Sequence, residues 1–177
     1  MTKNCLIVVD MQNDFISGAL GTEEAQTIVA PACARIAACR EEDWQIIATL
    51  DTHLDNYLNT QEGRRLPVPH CIRETWGWQL AAQIEEALGD APRVEKPTFG
   101  SVDLPERVEA LCGGAPERIE LLGLCTDICV VSNALLLKAH FPETPVAVRA
   151  SCCAGVTPKA HDAALQTMRS CQIDVVE

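Results

Sequence analysis

A carboxylate, an amine and a thiol stand at the ends of short apolar runs in this sequence. Cys5-Leu6-Ile7-Val8-Val9 leads into Asp10, Arg93-Val94-Glu95 into Lys96, and Ile119 to Leu124 into Cys125-Thr126-Asp127-Ile128-Cys129. A further run, Gln45 to Leu50, leads into Asp51 and His53. In open parallel sheets, sites form beyond the carboxyl ends of the strands, so these groups should share one edge. Cys129 is the candidate nucleophile. If Thr126 or Asp127 caps a helix, Cys129 falls in its first turn, where backbone N–H groups and the macrodipole favour a thiolate. The same N–H groups could hold a developing oxyanion. Asp10 either caps a turn within Asp10-Met11-Gln12-Asn13-Asp14 or acts as the base that takes the thiol proton. Lys96 is either a solvated surface lysine or, at a strand end before Pro97, a charge favouring both thiolate and carboxylate. The other cysteines keep their ordinary role as small buried hydrophobes.

Asp51, His53 and His70 together offer a carboxylate and two imidazoles, a set that suits a transition metal. Spacing alone leaves open a hydrogen-bonded loop histidine instead. His140 and His161 fall on predicted helices and need no functional account. Neither GxGxxG nor GxxxxGK[ST] occurs, so dinucleotide or P-loop chemistry has no support and no organic cofactor is expected.

The elements that must position these groups alternate. Strands are predicted at Cys5–Val9, Gln45–Leu50, Arg93–Glu95, Ile119–Leu124, Val146–Val148 and Ile173–Val176. Helices are predicted from Thr22, a cap, to Arg40; from Trp76 to Leu88 before Gly89; from Pro105 to Leu111; from Asp127 to His140; and after Thr157-Pro158. The stretch Asp55 to Glu74 reads as irregular. This alternation predicts an α/β fold, a doubly wound, mostly parallel six-stranded sheet with helices on both faces, Rossmann-like, in a single domain over 1–177.

Composition narrows the function. With 47% hydrophobic and 22% charged residues the chain is globular, and its formal charge of −11 offers phosphates no cationic face, so no nucleic-acid partner is expected. Cys5–Val9 is too short for a signal h-region, and no stretch is long enough to span a bilayer. Ten cysteines without an export signal read as reduced thiols, which predicts a cytoplasmic protein with no membrane partner. The segment 128–139 is apolar around most of a helix, more than one sheet face needs, which predicts a homo-oligomer.

At its chemical residues the sequence resembles the isochorismatase-like cysteine hydrolases, nicotinamidases among them. The resemblance rests on Val8-Val9-Asp10-Met11-Gln12-Asn13-Asp14-Phe15, Asp51-Thr52-His53, Pro69-His70-Cys71, Lys96 and Gly123-Leu124-Cys125-Thr126-Asp127-Ile128-Cys129-Val130, with a fainter match at Ala154–Pro158. It implies a triad of Asp10, Lys96 and Cys129, and an oxyanion hole from the backbone N–H groups of Cys125 and Cys129. It also implies a non-proline cis peptide at Leu124–Cys125 and a substrate pocket that includes Phe15. The implied reaction is thiolate attack on a small amide, such as nicotinamide, with release of ammonia and hydrolysis of a thioester. Other small amides or N-carbamoyl compounds are the alternatives within that chemistry. A redox protein using Cys125 and Cys129 or Cys152 and Cys153, or a silent scaffold, is the alternative outside it. Metal-dependent relatives imply Zn²⁺ or Fe²⁺ at Asp51, His53 and His70. Their further histidine falls here on Asn59, and an aromatic residue before His70 falls on Pro67.

Overall fold

The computed structural model describes residues 3–177. Six strands, β1 (Cys5–Val9), β2 (Gln45–Asp51), β3 (Arg93–Lys96), β4 (Ile119–Leu124), β5 (Val146–Ala154) and β6 (Asp174–Val176), form one sheet in the order β3-β2-β1-β4-β5-β6. Every pairing is parallel. The chain starts in the middle, winds out to β3, then returns to β4 and winds the other way. The reversal lies between β1 and β4, and a ligand crevice belongs there. β1 and β4 are buried along their whole length, which is why both read as continuous apolar runs.

The helices are α1 (Asn13–Ile16), α2 (Glu23–Thr27), α3 (Val29–Glu41), α4 (Gln61–Arg65), α5 (Ala82–Leu88), α6 (Leu104–Cys112), α7 (Val131–His140) and α8 (Pro158–Ser170). α3 packs with α2 and α5 on one side; α6, α7 and α8 pack in a row on the other. Thr22 and Thr157 cap helices as their sequence positions suggest, and Thr60 caps α4 as well; each accepts a hydrogen bond from the backbone three residues on.

β5 runs on to Ala154, six residues past the predicted end, and four further elements differ from the sequence reading. The helix expected over 22–40 is broken at Ile28, because the ring of Pro31 would meet the carbonyl of Thr27 if the helix ran through. The helix expected from Trp76 starts only at Ala82. The backbone of 76–80 is committed elsewhere: Asn13 Nδ2 donates to the Trp76 carbonyl, Gln12 Nε2 to that of Trp78, and Asn13 N–H to that of Gln79. The irregular stretch 55–74 contains a 3₁₀ turn, Tyr57–Asn59, and α4. The helix expected from Asp127 opens with a π-helical turn, Thr126–Val130, and α7 proper begins at Val131.

Away from the strand ends, a buried charge sits within β4. Glu120, fully buried on β4, is 2.7 Å from both Arg35 of α3 and Arg149 of β5, and Arg35 also lies over the Trp44 ring. These partners hold its carboxyl below the usual range against the opposing effect of burial.

Candidate active site

β1, β2, β3 and β4 end at one edge and deliver Asp10, Asp51, Lys96 and the Cys125–Cys129 turn to the crevice. Asp10 stands just past β1 with φ 47°, a left-handed conformation that costs most residues about 1–2 kcal/mol but that Asp visits more readily than most. Gly123 makes the approach of β4 possible: a Cβ there would lie 2.1 Å from the Val9 carbonyl oxygen. The edge is knitted by Gln12, whose side-chain oxygen accepts from Asp51 N–H while its nitrogen donates to the Asp51 carbonyl. Asp14 accepts from the backbone N–H of Cys71 and so anchors the loop carrying His70. The acidic and amide residues after Asp10 are thus braces that hold the neighbouring loops. The peptide Leu124–Cys125 is cis, as the resemblance implied.

Lys96 is central. Its Nζ lies 2.7 Å from Asp10 Oδ2, 3.1 Å from Asp51 Oδ1 and 3.4 Å from Cys129 Sγ. It is wholly buried, so the surface-lysine reading is excluded. Burial alone would lower its pKa, but Asp10, Cys129 and Asp51 more than offset this and keep it charged. Asp10, equally buried, accepts from Thr49 Oγ1 at 2.7 Å through one carboxylate oxygen and turns the other to Lys96. Burial raises its pKa, with Lys96 opposing. The Cys129 thiol is pushed well up by burial and by Asp10, against Lys96. Cys129 lies in the π-helical turn that opens the helical segment before α7, so its place at a helix start favours a thiolate while burial and Asp10 oppose one. Cys125, pushed up to about 12 by burial and Asp127, lines the same cavity as Cys129.

The second cluster is Asp51, His53 and His70, whose ligand atoms lie within 4.8 Å of one another. Their proton inventory points to a cation. His70 Nδ1 lies 2.9 Å from the Val68 carbonyl, which can only accept, so in the neutral ring Nε2 is the lone-pair nitrogen. That Nε2 nevertheless faces Asp51 Oδ2 at 3.5 Å. His53 Nε2 is buried, 3.0 Å from Asp51 Oδ2, yet off hydrogen-bond alignment with any partner. Glu62 on α4, which sequence reasoning missed, brings Oε1 to 3.6 Å from His53 Nε2 and 3.7 Å from His70 Nε2. Two carboxylates and two imidazoles converge, a donor set suited to Zn²⁺ or Fe²⁺. Asn59 lies in the 3₁₀ turn just before α4, so the further carboxylate facing the two imidazoles comes from a helix that the irregular reading of this stretch hid. Tyr57 meets both imidazoles at steep angles, with ring centroids 4.7 Å from that of His53 and 5.0 Å from that of His70.

Cys129 and the second cluster line one cavity of about 780 Å³, with Asp10 and Lys96 buried behind its wall. Phe15 lines it and meets the His70 ring at 5.5 Å, as a pocket residue should. Leu66, Phe99, Ile128 and Val156 add apolar wall. His161 does more than the sequence reading allowed: its Nδ1 is 2.8 Å from Thr126 Oγ1 and braces the turn that carries Cys129.

The family model described as the isochorismatase domain matches residues 4–177. The chain belongs to this family. Among curated isochorismatase-like relatives, the nicotinamidase/pyrazinamidase of Mycobacterium tuberculosis is 26% identical over 97% of both chains. The nicotinamidase of Saccharomyces cerevisiae is 34% identical over a stretch that spans 47% of this chain and 50% of the yeast protein. Among solved structures, the pyrazinamidase of Pyrococcus horikoshii in complex with zinc aligns with a TM-score of 0.84 at 28% identity, covering 99% of each chain. The nicotinamidase of Bacillus subtilis aligns with a TM-score of 0.86 at 26% identity, again over 99% of each. The isochorismatase fold is thus present over the described length. No helix among the described residues is long and apolar enough to cross a membrane.

Proposed function

We propose that this isochorismatase-family chain is a cysteine amidase that hydrolyses the C–N bond of small ring amides of the nicotinamide kind. The observation that carries this is Lys96 Nζ standing between Asp10 and Cys129 with all three side chains buried. Asp10 takes the Cys129 proton. Because Lys96 stays charged, that transfer only moves one negative charge from oxygen to sulfur beside the same ammonium, so no uncompensated charge is created. The thiolate attacks the amide carbon; a C–S bond forms and the carbonyl π pair moves to oxygen, held by the backbone N–H groups of Cys125 and Cys129. Collapse breaks the C–N bond, and Asp10 returns its proton to the departing ammonia. Asp10 then deprotonates a water that attacks the thioester, releasing the acid and restoring the thiol. Burial raises the basicity of Asp10 and so suits it to each step.

Asp51, His53, His70 and Glu62 would hold Zn²⁺ or Fe²⁺, which when bound supplies a Lewis-acid anchor for a ring nitrogen. Phe15 takes one face of the ring. The relatives named as nicotinamidases and the zinc-bound pyrazinamidase support this substrate class. A nucleophilic thiol needs reducing surroundings, which supports a cytoplasmic location. On α7, Leu135 remains exposed, as does Val102 ahead of α6, and a second copy of the chain would cover such apolar surface. Light scattering should show more than one subunit; a monomer at micromolar concentration refutes that part.

The test of the activity is ammonia release from nicotinamide, an N-carbamoyl amino acid and an aliphatic amide, with and without added Zn²⁺, alongside Cys129→Ala. Nicotinamide should be cleaved fastest and the variant should be inert. Wild-type-like turnover by Cys129→Ala overturns the mechanism; a faster N-carbamoyl substrate overturns the assignment to ring amides.

A further inference from the structure

The turn that carries Cys129 is held from within and from outside. From within, the Cys125 carbonyl accepts from the N–H groups of Ile128 and Val130, both at 3.1 Å. From outside, two consecutive side chains of the turn reach across to the segment after β5. Asp127 Oδ1 accepts from Val156 N–H at 2.9 Å, and Thr126 Oγ1 lies 2.8 Å from His161 Nδ1 in the first turn of α8. Gly155 lets the two segments meet: a Cβ there would lie 2.8 Å from Asp127 Oδ1 and 2.8 Å from the His161 backbone nitrogen. α8 is a firm base for this contact, thirteen residues long, capped by Thr157 and buried at Ala164, Leu165 and Met168. Thr126 is fully buried, whereas His161 is half-buried and lines a second, surface cavity of about 550 Å³. A hydroxyl can donate or accept, so the pair holds in either tautomer of the neutral ring.

We propose that His161 is a positioning residue: through Thr126 it fixes the backbone N–H groups of Cys125 and Cys129 that receive the oxyanion, without itself touching the substrate. This rests on the amidase reading, from which it takes Cys129 as the attacking atom and these two groups as donors. Thr126 lies between the two donors in the chain, so its side chain cannot shift without tilting the peptide planes on either side. Such donors stabilise a developing charge only when they stand in place before it appears, about 2.7–3.1 Å from the oxygen. The contact with α8 supplies that order from a part of the fold outside the substrate cavity.

Two probes of Cys129 separate the oxyanion from the nucleophile. Nicotinaldehyde adds reversibly: the C–S bond forms, the carbonyl π pair moves to the oxygen that the N–H groups hold, and that oxygen takes the thiol proton. Iodoacetamide alkylates the same sulfur: the C–S bond forms, the C–I bond breaks, iodide leaves, the thiol proton passes to solvent, and no oxyanion arises. Peptide mass spectrometry gives the alkylation rate, and protection by nicotinaldehyde gives its affinity. Thr126→Val and His161→Leu should each weaken nicotinaldehyde about tenfold, with the alkylation rate within about twofold of wild type. With nicotinamide, both should lower kcat about tenfold or more and leave KM nearly unchanged. Thr126→Ser keeps the hydroxyl and His161→Asn keeps a polar group near the place of Nδ1, so each should retain most of the affinity. The double variant should lose no more than Thr126→Val alone. If Thr126→Val fails to fold, His161→Leu against His161→Asn carries the test, because the half-buried ring tolerates replacement. Unchanged nicotinaldehyde affinity in either variant, alkylation slowing in step with it, a raised KM at constant kcat, or a double variant showing the product of both losses overturns the proposal. A protein whose nicotinaldehyde affinity follows this pair but that releases no ammonia from nicotinamide keeps the positioning role and loses the amidase reading. One that cleaves nicotinamide with an affinity indifferent to the pair does the reverse.

Discussion

Lys96 Nζ lies 2.7 Å from Asp10 Oδ2, and neither side chain touches solvent. Because the pair is dry, each charge controls the other and the thiol next to them. Asp10 raises the Cys129 pKa and Lys96 lowers it. Removing the carboxylate charge therefore separates reactivity from catalysis. Asp10→Asn should cut kcat by about 10²–10⁴, the usual worth of a general base. The same variant should lower the thiol pKa, so iodoacetamide should modify Cys129 faster at neutral pH than in wild type. Slower alkylation with lost turnover would mean that Asp10 promotes thiolate formation in the resting state.

Cys129→Ala should abolish turnover and leave the fold intact. The change removes one buried sulfur, worth about 1 kcal/mol, or a Tm shift of about 2–4 °C for a chain of this size. Thermal melting followed by circular dichroism, alongside ammonia release, checks both halves. Lys96→Met, by contrast, leaves Asp10 buried without its cation, and should lower both activity and Tm.

Glu62→Gln should weaken Zn²⁺ binding at least about tenfold, because it removes a charged oxygen facing both imidazoles. Chelator competition on protein loaded with Zn²⁺ measures this directly. His53→Ala should weaken binding further and raise KM for a pyridine amide more than it lowers kcat. Unchanged zinc affinity in Glu62→Gln would leave Asp51, His53 and His70 as the whole donor set.

Glu120 gives the fold an acid sensitivity of calculable sign. Its carboxyl is held below the unfolded value of about 4.3 by Arg149 and Arg35. A depressed pKa contributes stability that is fully present above that unfolded value and is lost as pH falls through the folded one. Between pH 5 and pH 3, urea unfolding of the wild type should show falling stability, and Glu120→Gln a shallower fall. At pH 7, Glu120→Gln should be less stable by about 3–5 kcal/mol, because two arginines lose their buried partner. A variant as stable as wild type at pH 7 would show that water satisfies both guanidinium groups.

Those parts of this protein that are local could be read from the amino acids alone. Continuous apolar runs must be strands covered on both faces, and the residues just after each run must lie at the strand's carboxyl end. Asp10, Asp51, Lys96 and Cys129 were therefore readable as neighbours before any distance was known, and so was the parallel, doubly wound sheet. The helix caps at Thr22 and Thr157 were equally local. Features created by a second segment were out of reach. The backbone of 76–80 has helical residues but pairs with the side chains of Gln12 and Asn13, so tertiary hydrogen bonds overrode propensity. Glu62 lay within a stretch read as irregular, and only the folding of α4 turns it toward His53 and His70. Asn133 lay within a segment read only as apolar, and its bonds to Ser101 and Phe99 exist only in the folded chain. The state of Cys129 was likewise undecided, since a helix start argues for a thiolate while burial beside Asp10 argues for a thiol. Charge and burial depend on everything within a few ångströms regardless of sequence distance, and only the folded chain supplies that neighbourhood.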